Sequence, residues 1–445
     1  MTEIQQAVPG GEPGAAKAQT AAPAGAAVTG TPDEVTDETT EEVTDEAPGK
    51  AVKPDAGAAD GLPGENAAAL SGKGLAGWGA RLLARPGDRT ALLIWFFWHV
   101  ATYIYMVLAA PGRTEAPILD RLTPWDSDNF IIIGQYGYDG SPGMPDAPKL
   151  TAFFPGLPFL LRYLHVVVSD WSLAIVLVSV VASAVVAVAL SRLSDSYREG
   201  TGTWTVLAFF LSPFAVFMLA GYSEAPFLAL AIPAWLLARR GRWEAAAVCA
   251  AFASSVRISG LFLAAGLAVM FLVAENGLRS TGWRRAPWMA LPAVPVLAYM
   301  AYLWTRTGQL MAWKQAEADY WGRYPEKPWQ VFLNTWDRSM NEPILQTSYR
   351  EEMLAAAVLV ILIVWQLARR RWADLAYLAP QAVALLAMSS FYMSVGRASL
   401  LWWPLYLSVG ITGARRPWVF MAYLAVAAPV MAINVGNFTT GAWVG

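Results

Sequence analysis

Residues 171–190 read WSLAIVLVSVVASAVVAVAL, a run of twenty residues without a charged side chain. A helix of about twenty apolar residues is long enough to cross the hydrocarbon core of a bilayer. The rest of the chain has the same character, since 56% of its 445 residues are hydrophobic and only 15% are charged. This composition predicts an all-α polytopic membrane protein rather than a soluble globular one.

Similar apolar segments recur on both sides of this run and predict eleven membrane spans. The predicted spans cover residues 90–110, 171–190, 203–220, 224–238, 243–256, 258–274, 287–304, 352–368, 373–390, 398–412 and 417–435. Arginines gather in alternate connections, at 81–89, 192–198, 239–242, 279–285, 369–371 and 415–416. Because cytoplasmic loops are enriched in basic residues, this spacing predicts a cytoplasmic N-terminus and one basic, cytoplasmic side.

Two segments leave the topology open. Residues 243–274 form either one long helix or a hairpin bent within Ser254–Gly260, and the arginine pattern favours the hairpin. Residues 151–168 are apolar enough for a helix that lies along the outer interface, although a full span there would reverse every later loop. With eleven spans, the substantial outer segments are residues 111–170, the turn around Glu224 and residues 305–351.

Residues 1–75 are dominated by Ala, Gly, Pro, Thr and acidic side chains, with the acidic run Asp33–Glu46 at their centre. Such a segment repels itself and lacks the apolar residues that a core requires. We expect a disordered acidic cytoplasmic tail, followed by one transmembrane domain over residues 76–445. The net charge of −2 therefore conceals a basic membrane domain.

A polar loop between the first two predicted spans carries the sequence Trp125-Asp126-Ser127-Asp128. A carboxylate at the outer membrane face can take a proton from a hydroxyl that attacks an electrophilic carbon. The neighbouring tryptophan can stack on the face of a sugar. The competing interpretation is that Asp126 caps a short helix, and the spacing of the residues favours neither.

Aromatic residues and turn formers follow in the same loop, at Tyr136-Gly-Tyr138 and Ala152-Phe-Phe-Pro-Gly-Leu-Pro158. They predict an aromatic rim, including Phe154, around a sharp backbone turn. The alternative is an interfacial aromatic belt, which membrane proteins commonly place at this depth.

Three charged residues interrupt the apolar pattern on the outer side. Glu224 lies in a tight turn between two spans, where an ionisable group is costly and suggests a use. Arg257 and Arg397 lie among small residues, and a guanidinium there suits a phosphate oxyanion. Pairing of these arginines with Glu224 or with lipid headgroups is the alternative.

The 305–351 segment combines tryptophans with polar and basic side chains, including Gln315, Trp321 and Arg323. This composition fits a lid over a bound lipid or glycan. It equally fits a surface loop that packs on the membrane.

Together these motifs resemble the PIG-V-like mannosyltransferases, which transfer the second mannose of GPI anchors, and their bacterial relatives. The resemblance covers residues 90–435 and omits the tail. The matching segments are Trp125-Asp126-Ser127, Tyr136-Gly137-Tyr138, Ala152–Pro158, Ser212-Pro213-Phe214, Tyr222-Ser223-Glu224, Ser255-Val256-Arg257, Thr307-Gly308 with Gln315 and Trp321-Gly322-Arg323, and Gly396-Arg397 with Pro404. The chain departs from the family at Asp139, where a Glu is usual, and after Arg257, where an Asn sometimes follows.

The resemblance implies a bacterial member with a GT-C glycosyltransferase fold at the plasma membrane and an active site that faces outward. It implies a polyprenyl-phosphate-mannose donor, a lipid-linked or cell-envelope glycan acceptor, and no nucleic acid partner. Asp126 would be the catalytic base of an inverting transfer. The implied substrate-binding residues are Trp125, Ser127, Asp128, Tyr136, Tyr138, Phe154, Tyr222, Glu224, Arg257, Gln315, Trp321, Arg323 and Arg397.

No cofactor is expected. The single cysteine, Cys249, and the two histidines, His99 and His165, form no cluster with metal-ligand spacing. A divalent cation shared by Asp126 and Asp128 is the alternative.

Two other functional classes compete with an enzyme. A lipid or glycolipid transporter should carry ionisable residues near the middle of its spans and show symmetry between its halves. The predicted spans are nearly free of acids, and no internal repeat is evident. The third hypothesis is a non-catalytic partner subunit of another transferase. The presence of the candidate base Asp126 argues against it.

Overall fold

The computed structural model describes residues 85–109, 116–145, 147–274 and 282–445. These residues form seventeen α-helices, several short 3-10 helices and one β-hairpin with two residues in each strand. The expectation of an all-α polytopic membrane protein is thereby confirmed. The acidic tail over residues 1–75 lies outside the described residues, so its disorder and the boundary at residue 76 stay predictions.

The helices are numbered here in chain order. They are α1 (Pro86–Ala109), α2 (Ile118–Arg121), α3 (Asp126–Tyr136), α4 (Gly156–Leu164), α5 (Trp171–Tyr197), α6 (Gly202–Phe210), α7 (Glu224–Arg239), α8 (Trp243–Val256), α9 (Ser259–Val273), α10 (Ala293–Thr307), α11 (Ala312–Trp321), α12 (Pro328–Asn341), α13 (Gln346–Ala368), α14 (Trp372–Leu386), α15 (Val395–Ala398), α16 (Trp403–Arg415) and α17 (Pro417–Thr439). The 3-10 helices are Gly137–Asp139, Pro148–Ala152, Ala215–Met218, Gly282–Ala290 and Ser399–Leu401, and strands β1 (Gly140–Ser141) and β2 (Met144–Pro145) pair antiparallel.

Every predicted span coincides at least in part with helix, but the helices differ in length. Five helical segments of the described chain are long and apolar enough to cross a membrane, namely Pro86–Leu108, Trp171–Tyr197, Gly282–Thr307, Gln346–Ala368 and Pro417–Thr439. The other predicted spans correspond to shorter helices. At about 1.5 Å per residue, the 14 residues of α8 rise only about 21 Å, less than the roughly 30 Å of the hydrocarbon core.

The segment 243–274 is a hairpin, as the arginine pattern predicts. Helix α8 ends at Val256, and Arg257 takes an extended backbone conformation with φ −149° and ψ 147° before α9 begins. A Cβ on Gly260 would lie 2.3 Å from the Cα of Ser254, so the two limbs meet closely at the bend.

Helix α4 shows how residues 151–168, the second segment with an open topology, are folded. It has nine residues, about 14 Å of rise, so the alternative of a full span over 151–168 is wrong. One face buries Leu157 and Leu161, and the opposite face exposes Phe159, Leu160 and Tyr163. This amphipathic character is consistent with a helix that lies along an interface.

Helix α7 forms the centre of the bundle and is buried over most of its length, with Phe227 and Trp235 fully enclosed. It packs against α5, α8 and α9. Its sixteen residues span about 24 Å, so Glu224 at its start and Arg239 at its end mark opposite ends of the bundle.

The arginines near the end of α7 share that end with those of other helices. Partial burial and three neighbouring arginines lower the pKa of Arg240, and these neighbours are Arg85, Arg192 and Arg242. Arg192 also pairs with buried Asp88 at 2.6 Å, which joins α5 to α1. Basic residues from three of the six predicted cytoplasmic groups, those at 81–89, 192–198 and 239–242, therefore interact with one another.

Candidate functional site

Four charged side chains form a continuous network at the end of α7 that holds Glu224. Arg397 Nη1 lies 2.8 Å from Asp126 Oδ2, and Arg397 Nε lies 3.3 Å from Glu224 Oε1. Arg257 Nη1 lies 2.6 Å from the same Glu224 oxygen and donates to Ser223 Oγ at 2.6 Å. Two carboxylates and two guanidinium groups therefore alternate across the network. The alternative that both arginines pair with Glu224 holds in the structure.

Burial differs sharply across this network. The Glu224 side chain is 0% exposed, whereas those of Arg397, Arg257 and Asp126 are 15%, 22% and 23% exposed. Glu224 thus anchors the network from inside, and Asp126 stands at its accessible edge. Burial lowers the pKa of Arg397, but the charges of Asp126 and Glu224 raise it by more, so this guanidinium stays protonated.

Asp126 owes its position to an unusual backbone conformation. Trp125, which precedes α3, has φ 55° and ψ −102°, in a region that side chains other than Gly rarely adopt. Trp125 occupies the N-cap position and Asp126 is the first helical residue, so the interpretation of Asp126 as the helix cap is wrong. The turn instead aims its carboxylate at Arg397.

Hydrogen bonds fasten this loop to the turn before α7. Ser127 is fully buried, and its Oγ donates to the carbonyl of Gly221 at 2.6 Å. The Tyr222 hydroxyl donates to the carbonyl of Pro124 at 2.9 Å. The Arg397 guanidinium carbon lies 5.4 Å from the centre of the Tyr222 ring, within cation–π range. Ser127 and Tyr222 therefore fix the position of Asp126 relative to Arg397.

A buried glutamate that sequence reasoning missed positions Arg397. Glu352 of α13 is 0% exposed, and its Oε2 accepts hydrogen bonds from the backbone N–H groups of Val395 at 2.6 Å and Gly396 at 3.1 Å. Its Oε1 has no hydrogen-bond partner among the described residues. No local motif marks Glu352, since it lies at the edge of an apolar run.

Glycines bring two further segments into contact with the network. A Cβ on Gly396 would lie 2.2 Å from Phe214 Cζ, so only glycine lets the turn before Arg397 approach that ring. A Cβ on Gly156 would lie 2.7 Å from the Ser255 carbonyl oxygen. The Phe-Phe-Pro-Gly turn therefore packs directly on the end of α8, next to Arg257.

The aromatic residues of the first loop divide into two groups. Tyr138 and Phe154 contact Tyr299 of α10, with ring centres 5.5 and 5.1 Å apart, and the Tyr138 hydroxyl donates to the Phe153 carbonyl. Phe153 instead lies edge-on between Phe130 of α3 and Trp321 of α11, at 5.1 and 5.6 Å. This second chain of rings connects the 305–351 segment to the helix that begins with Asp126.

Helix α11 contributes a second carboxylate that sequence reasoning missed. Burial raises the pKa of Glu317, and the nearby charges of Arg323, Arg257 and Lys314 oppose that rise. Glu317 therefore interacts electrostatically with Arg257 of the network and with two basic residues of its own segment. Arg323 is held by a 3.4 Å hydrogen bond from its Nη2 to the carbonyl of Met393, four residues before Arg397.

Several candidate residues lie outside the charged network. Gln315 is exposed and donates to Asp319 of its own helix at 2.8 Å, while Tyr136 is 47% exposed. The Asp128 side chain lies at the surface. Partial desolvation of its carboxyl group raises its pKa, the charge of Lys149 opposes this rise, and the charge of Asp120 adds to it. Trp125 is 40% exposed, with its ring edge-on to Phe438 at 5.7 Å.

A shared cation has little geometric support. The part of the chain that the structure describes contains no group of three His, Cys, Asp or Glu side chains placed to hold a metal ion. Asp126 and Asp128 are two residues apart on α3, so their side chains diverge around the helix. Asp126 is also engaged by Arg397.

Sequence comparison finds similarity to a known family over the part of the chain that carries Asp126, Glu224 and Arg257. Residues 113–275 match the family model described as Mannosyltransferase (PIG-V). The chain is similar to GPI alpha-1,6-mannosyltransferase 2 of Rattus norvegicus, with 33% identity over 156 residues, which is 32% of this chain and 30% of the relative. The corresponding Mus musculus protein is 33% identical over 178 residues, 37% of this chain and 35% of the relative.

The Homo sapiens protein of the same name is 32% identical over 156 residues. The matched region thus spans about a third of these relatives, and no solved structure matches the chain. Asp126, Glu224 and Arg257 fall inside the family match, whereas Arg397 and Glu352 lie beyond it.

Proposed function

We propose that this protein is an integral membrane mannosyltransferase that moves mannose from a polyprenyl-phosphate-mannose donor to a hydroxyl of a lipid-linked or cell-envelope glycan. The observation that carries the proposal is the ion pair between Asp126 and Arg397 at the edge of the network. It joins a carboxylate suited to proton transfer with cations suited to a phosphate. The family match and the GPI mannosyltransferase 2 similarity support mannose as the transferred sugar.

Asp126 acts as the general base. Its Oδ2 accepts from Arg397, and its Oδ1 makes no hydrogen bond to a described residue, which leaves that oxygen available to an acceptor hydroxyl. As the hydroxyl oxygen bonds to the anomeric carbon, its proton passes to Asp126 and the bond from carbon to phosphate oxygen breaks. The electron pair leaves with the polyprenyl phosphate, and one displacement inverts the anomeric configuration.

The arginines receive the departing phosphate. Arg257 uses Nη1 for Glu224 and Ser223, while its Nη2 and Nε make no hydrogen bond to a described residue. Lys314 of α11 and Arg323, which follows that helix, act electrostatically on the same carboxylate as Arg257, that of Glu317, and we assign them to the phosphate as well. Charge-assisted hydrogen bonds from such a group stabilise the negative charge that develops on the leaving oxygen. The lipid phosphate is a good leaving group, so the proposed reaction requires no cofactor.

Exposed aromatic rings supply the surface for the sugars. Trp125 adjoins the base and presents 40% of its surface. Trp321 contacts Phe153, which in turn contacts Phe130 of α3, and this chain of rings supports the 305–351 segment as a lid over the bound substrates. The proposed fold class is GT-C.

The arginine-rich end of the bundle gives the proposed orientation. Positive charge favours the cytoplasmic side, and α7 separates Arg239 from Glu224 by its full length. The network around Asp126 then faces outward across the plasma membrane, with the acidic N-terminal tail inside. Donor and acceptor reach it from the outer leaflet.

The test is transfer of radiolabelled mannose from polyprenyl-phosphate-mannose to a membrane glycolipid extract by the purified protein. Asp126→Asn should lower turnover by about 10²–10⁴-fold, the range for loss of a general base. Asp120→Asn, an exposed acid of the same loop, is the matched control. Thermal unfolding checks that both variants fold.

Undiminished transfer by Asp126→Asn would remove this residue from the chemistry. Absence of transfer by the wild type with every lipid-linked sugar tested would favour a transporter or a non-catalytic partner subunit instead.

A further inference from the structure

A cavity of about 520 Å³ lies at the opposite end of the bundle from Asp126. It forms where α7 and α9 end and where α8 and α14 begin. Its polar lining comes from Tyr197, Arg239, Arg370, Arg371 and Asp374, and Trp372 stands at its edge. The volume falls within the roughly 300–1,000 Å³ range of small-molecule sites. The proposed transfer reaction uses none of these residues.

The arginines of this cavity are held in place by neighbouring groups. The Arg239 guanidinium stacks 3.7 Å above the Tyr197 ring, and its Nε and Nη2 donate to Ser196 Oγ and the Ser196 carbonyl. Arg371 lies 5.6 Å from the same ring. Arg370 has φ 53°, a left-handed conformation that is strained for a side chain of this size. The strained turn places two adjacent guanidinium groups at one cavity.

Asp374 brings a largely buried carboxylate to the lining of this cavity. Its side chain is only 7% exposed, and its Oδ2 lies 3.9 Å from Arg371 Nη1, at the limit of an ion pair. Its Oδ1 is buried and accepts no hydrogen bond from a described residue. A buried acceptor without a donor is unfavourable, so a hydrogen-bond donor of a ligand would stabilise this atom.

We infer that this cavity binds the headgroup of an anionic phospholipid, a phosphate diester that carries a hydroxyl group. The phosphate oxygens accept from Arg239, Arg370 and Arg371, because guanidinium groups match phosphate geometry. The headgroup hydroxyl donates to the Asp374 carboxylate, which lines the cavity. The apolar side of the cavity, at Met270 and Val273, continues to an exposed helix surface where the acyl chains would leave.

A photoreactive phosphatidylglycerol with its reactive group on the headgroup tests this inference on the purified full-length protein. Labelled peptides should contain residues 239–243 or 370–374. Unlabelled phosphatidylglycerol should compete, whereas phosphatidylcholine, which lacks the hydroxyl and has no net negative charge, should not. Competition by free glycerol phosphate at equal concentration would assign the cavity to a soluble phosphate ester and overturn the lipid assignment.

Arg371→Gln and Arg239→Gln should each lower labelling by about tenfold, as expected for loss of a charge-assisted hydrogen bond. Arg369→Gln is the matched control, since Arg369 adjoins the cluster but stacks on Trp365 at 4.5 Å and does not line the cavity. Asp374→Asn should reduce the preference for phosphatidylglycerol over phosphatidic acid. Equal labelling of all variants, with unchanged thermal unfolding, would overturn the inference.

Discussion

Arg397 and Asp126 are 271 residues apart in the chain, yet Arg397 Nη1 donates to Asp126 Oδ2 at 2.8 Å. The contact joins the first polar loop to the short helix before α16. The candidate base is therefore oriented by a residue that lies outside the region shared with the mannosyltransferase family. The site is complete only when the late helices have packed against the early ones.

Removal of the Arg397 charge should destabilise the protein as well as inactivate it. In Arg397→Met, buried Glu224 retains only Arg257, and Asp126 loses its partner. Breaking one partner of a buried ion pair costs about 3–5 kcal/mol. A lower unfolding temperature should accompany the loss of transfer.

The control for this change is Arg285→Met, because Arg285 forms an exposed pair with Glu244 at 2.9 Å. Such pairs contribute about 0.2–1 kcal/mol at most, so the unfolding temperature should change little. Equal destabilisation by the two variants would contradict the buried role assigned to Arg397.

Glu352→Gln should impair turnover more than substrate binding. The carboxylate accepts from two backbone N–H groups that precede Arg397, and a neutral amide accepts those bonds more weakly. Arg397 would then lose its fixed approach to Asp126, and we expect kcat to fall about tenfold with little change in the donor KM. Steady-state kinetics separate the two parameters.

The adjacent Glu351 provides the control for Glu352. Its Oε2 accepts from Asn434 Nδ2 at 2.9 Å, and a glutamine oxygen can keep that bond. Glu351→Gln should therefore retain kcat. A fall in donor affinity without a change in kcat for Glu352→Gln would show that Glu352 does not act through Arg397.

The pH dependence of donor binding should depend on Glu317. Burial raises the pKa of Glu317 from its ordinary value, so as pH falls from neutral this group takes up a proton before an exposed glutamate does. Protonation removes a negative charge from among Arg257, Arg323 and Lys314, and these cations then attract the donor phosphate more strongly. The donor KM should decrease as pH falls through this pKa.

Glu317→Gln should fix the low-KM state at all pH values, while Asp319→Asn on the exposed side of α11 should keep the wild-type profile. KM measured from pH 5 to pH 8 distinguishes the variants. An unchanged pH profile in Glu317→Gln would exclude this carboxylate from donor binding.

Much of the architecture could be predicted because it depends on local composition. Apolar runs indicate the helices, and the arginine spacing indicates the hairpin at Arg257, since both follow from the free energy of placing side chains in a bilayer. The length of each helix could not be predicted. Short helices such as α8 and α9 are stabilised by packing against neighbouring helices, and this packing cannot be predicted from the sequence of one helix alone.

The candidate site could be predicted only in part. The sequence identifies four charged residues of the site, because a charged group near the hydrocarbon is costly and therefore indicates a function. These residues are Asp126, Glu224, Arg257 and Arg397. Glu352 and Glu317 were missed because each acts through contacts with a distant segment. The conformation of Trp125 was also missed, because backbone strain of this kind is imposed by tertiary contacts rather than by the residue type.

Gly396 should tolerate no side chain, because its Cα faces the Phe214 ring. The added methyl of Gly396→Ala would lie 2.2 Å from Phe214 Cζ, so the turn that carries Arg397 must move. Overpacking of this kind costs about 1–3 kcal/mol, and transfer should fall with stability because Arg397 shifts away from Asp126. Gly436→Ala in α17 is the control, since no atom lies closer than 3.5 Å to its added Cβ.

The double variant Gly396→Ala with Phe214→Leu tests the proposed cause. A smaller side chain at 214 should relieve the clash, so the double variant should lose less stability and less transfer than the two single changes added together. Thermal unfolding and transfer rates of the four proteins give the coupling. Strictly additive losses would mean that the Phe214 ring does not set the position of Arg397.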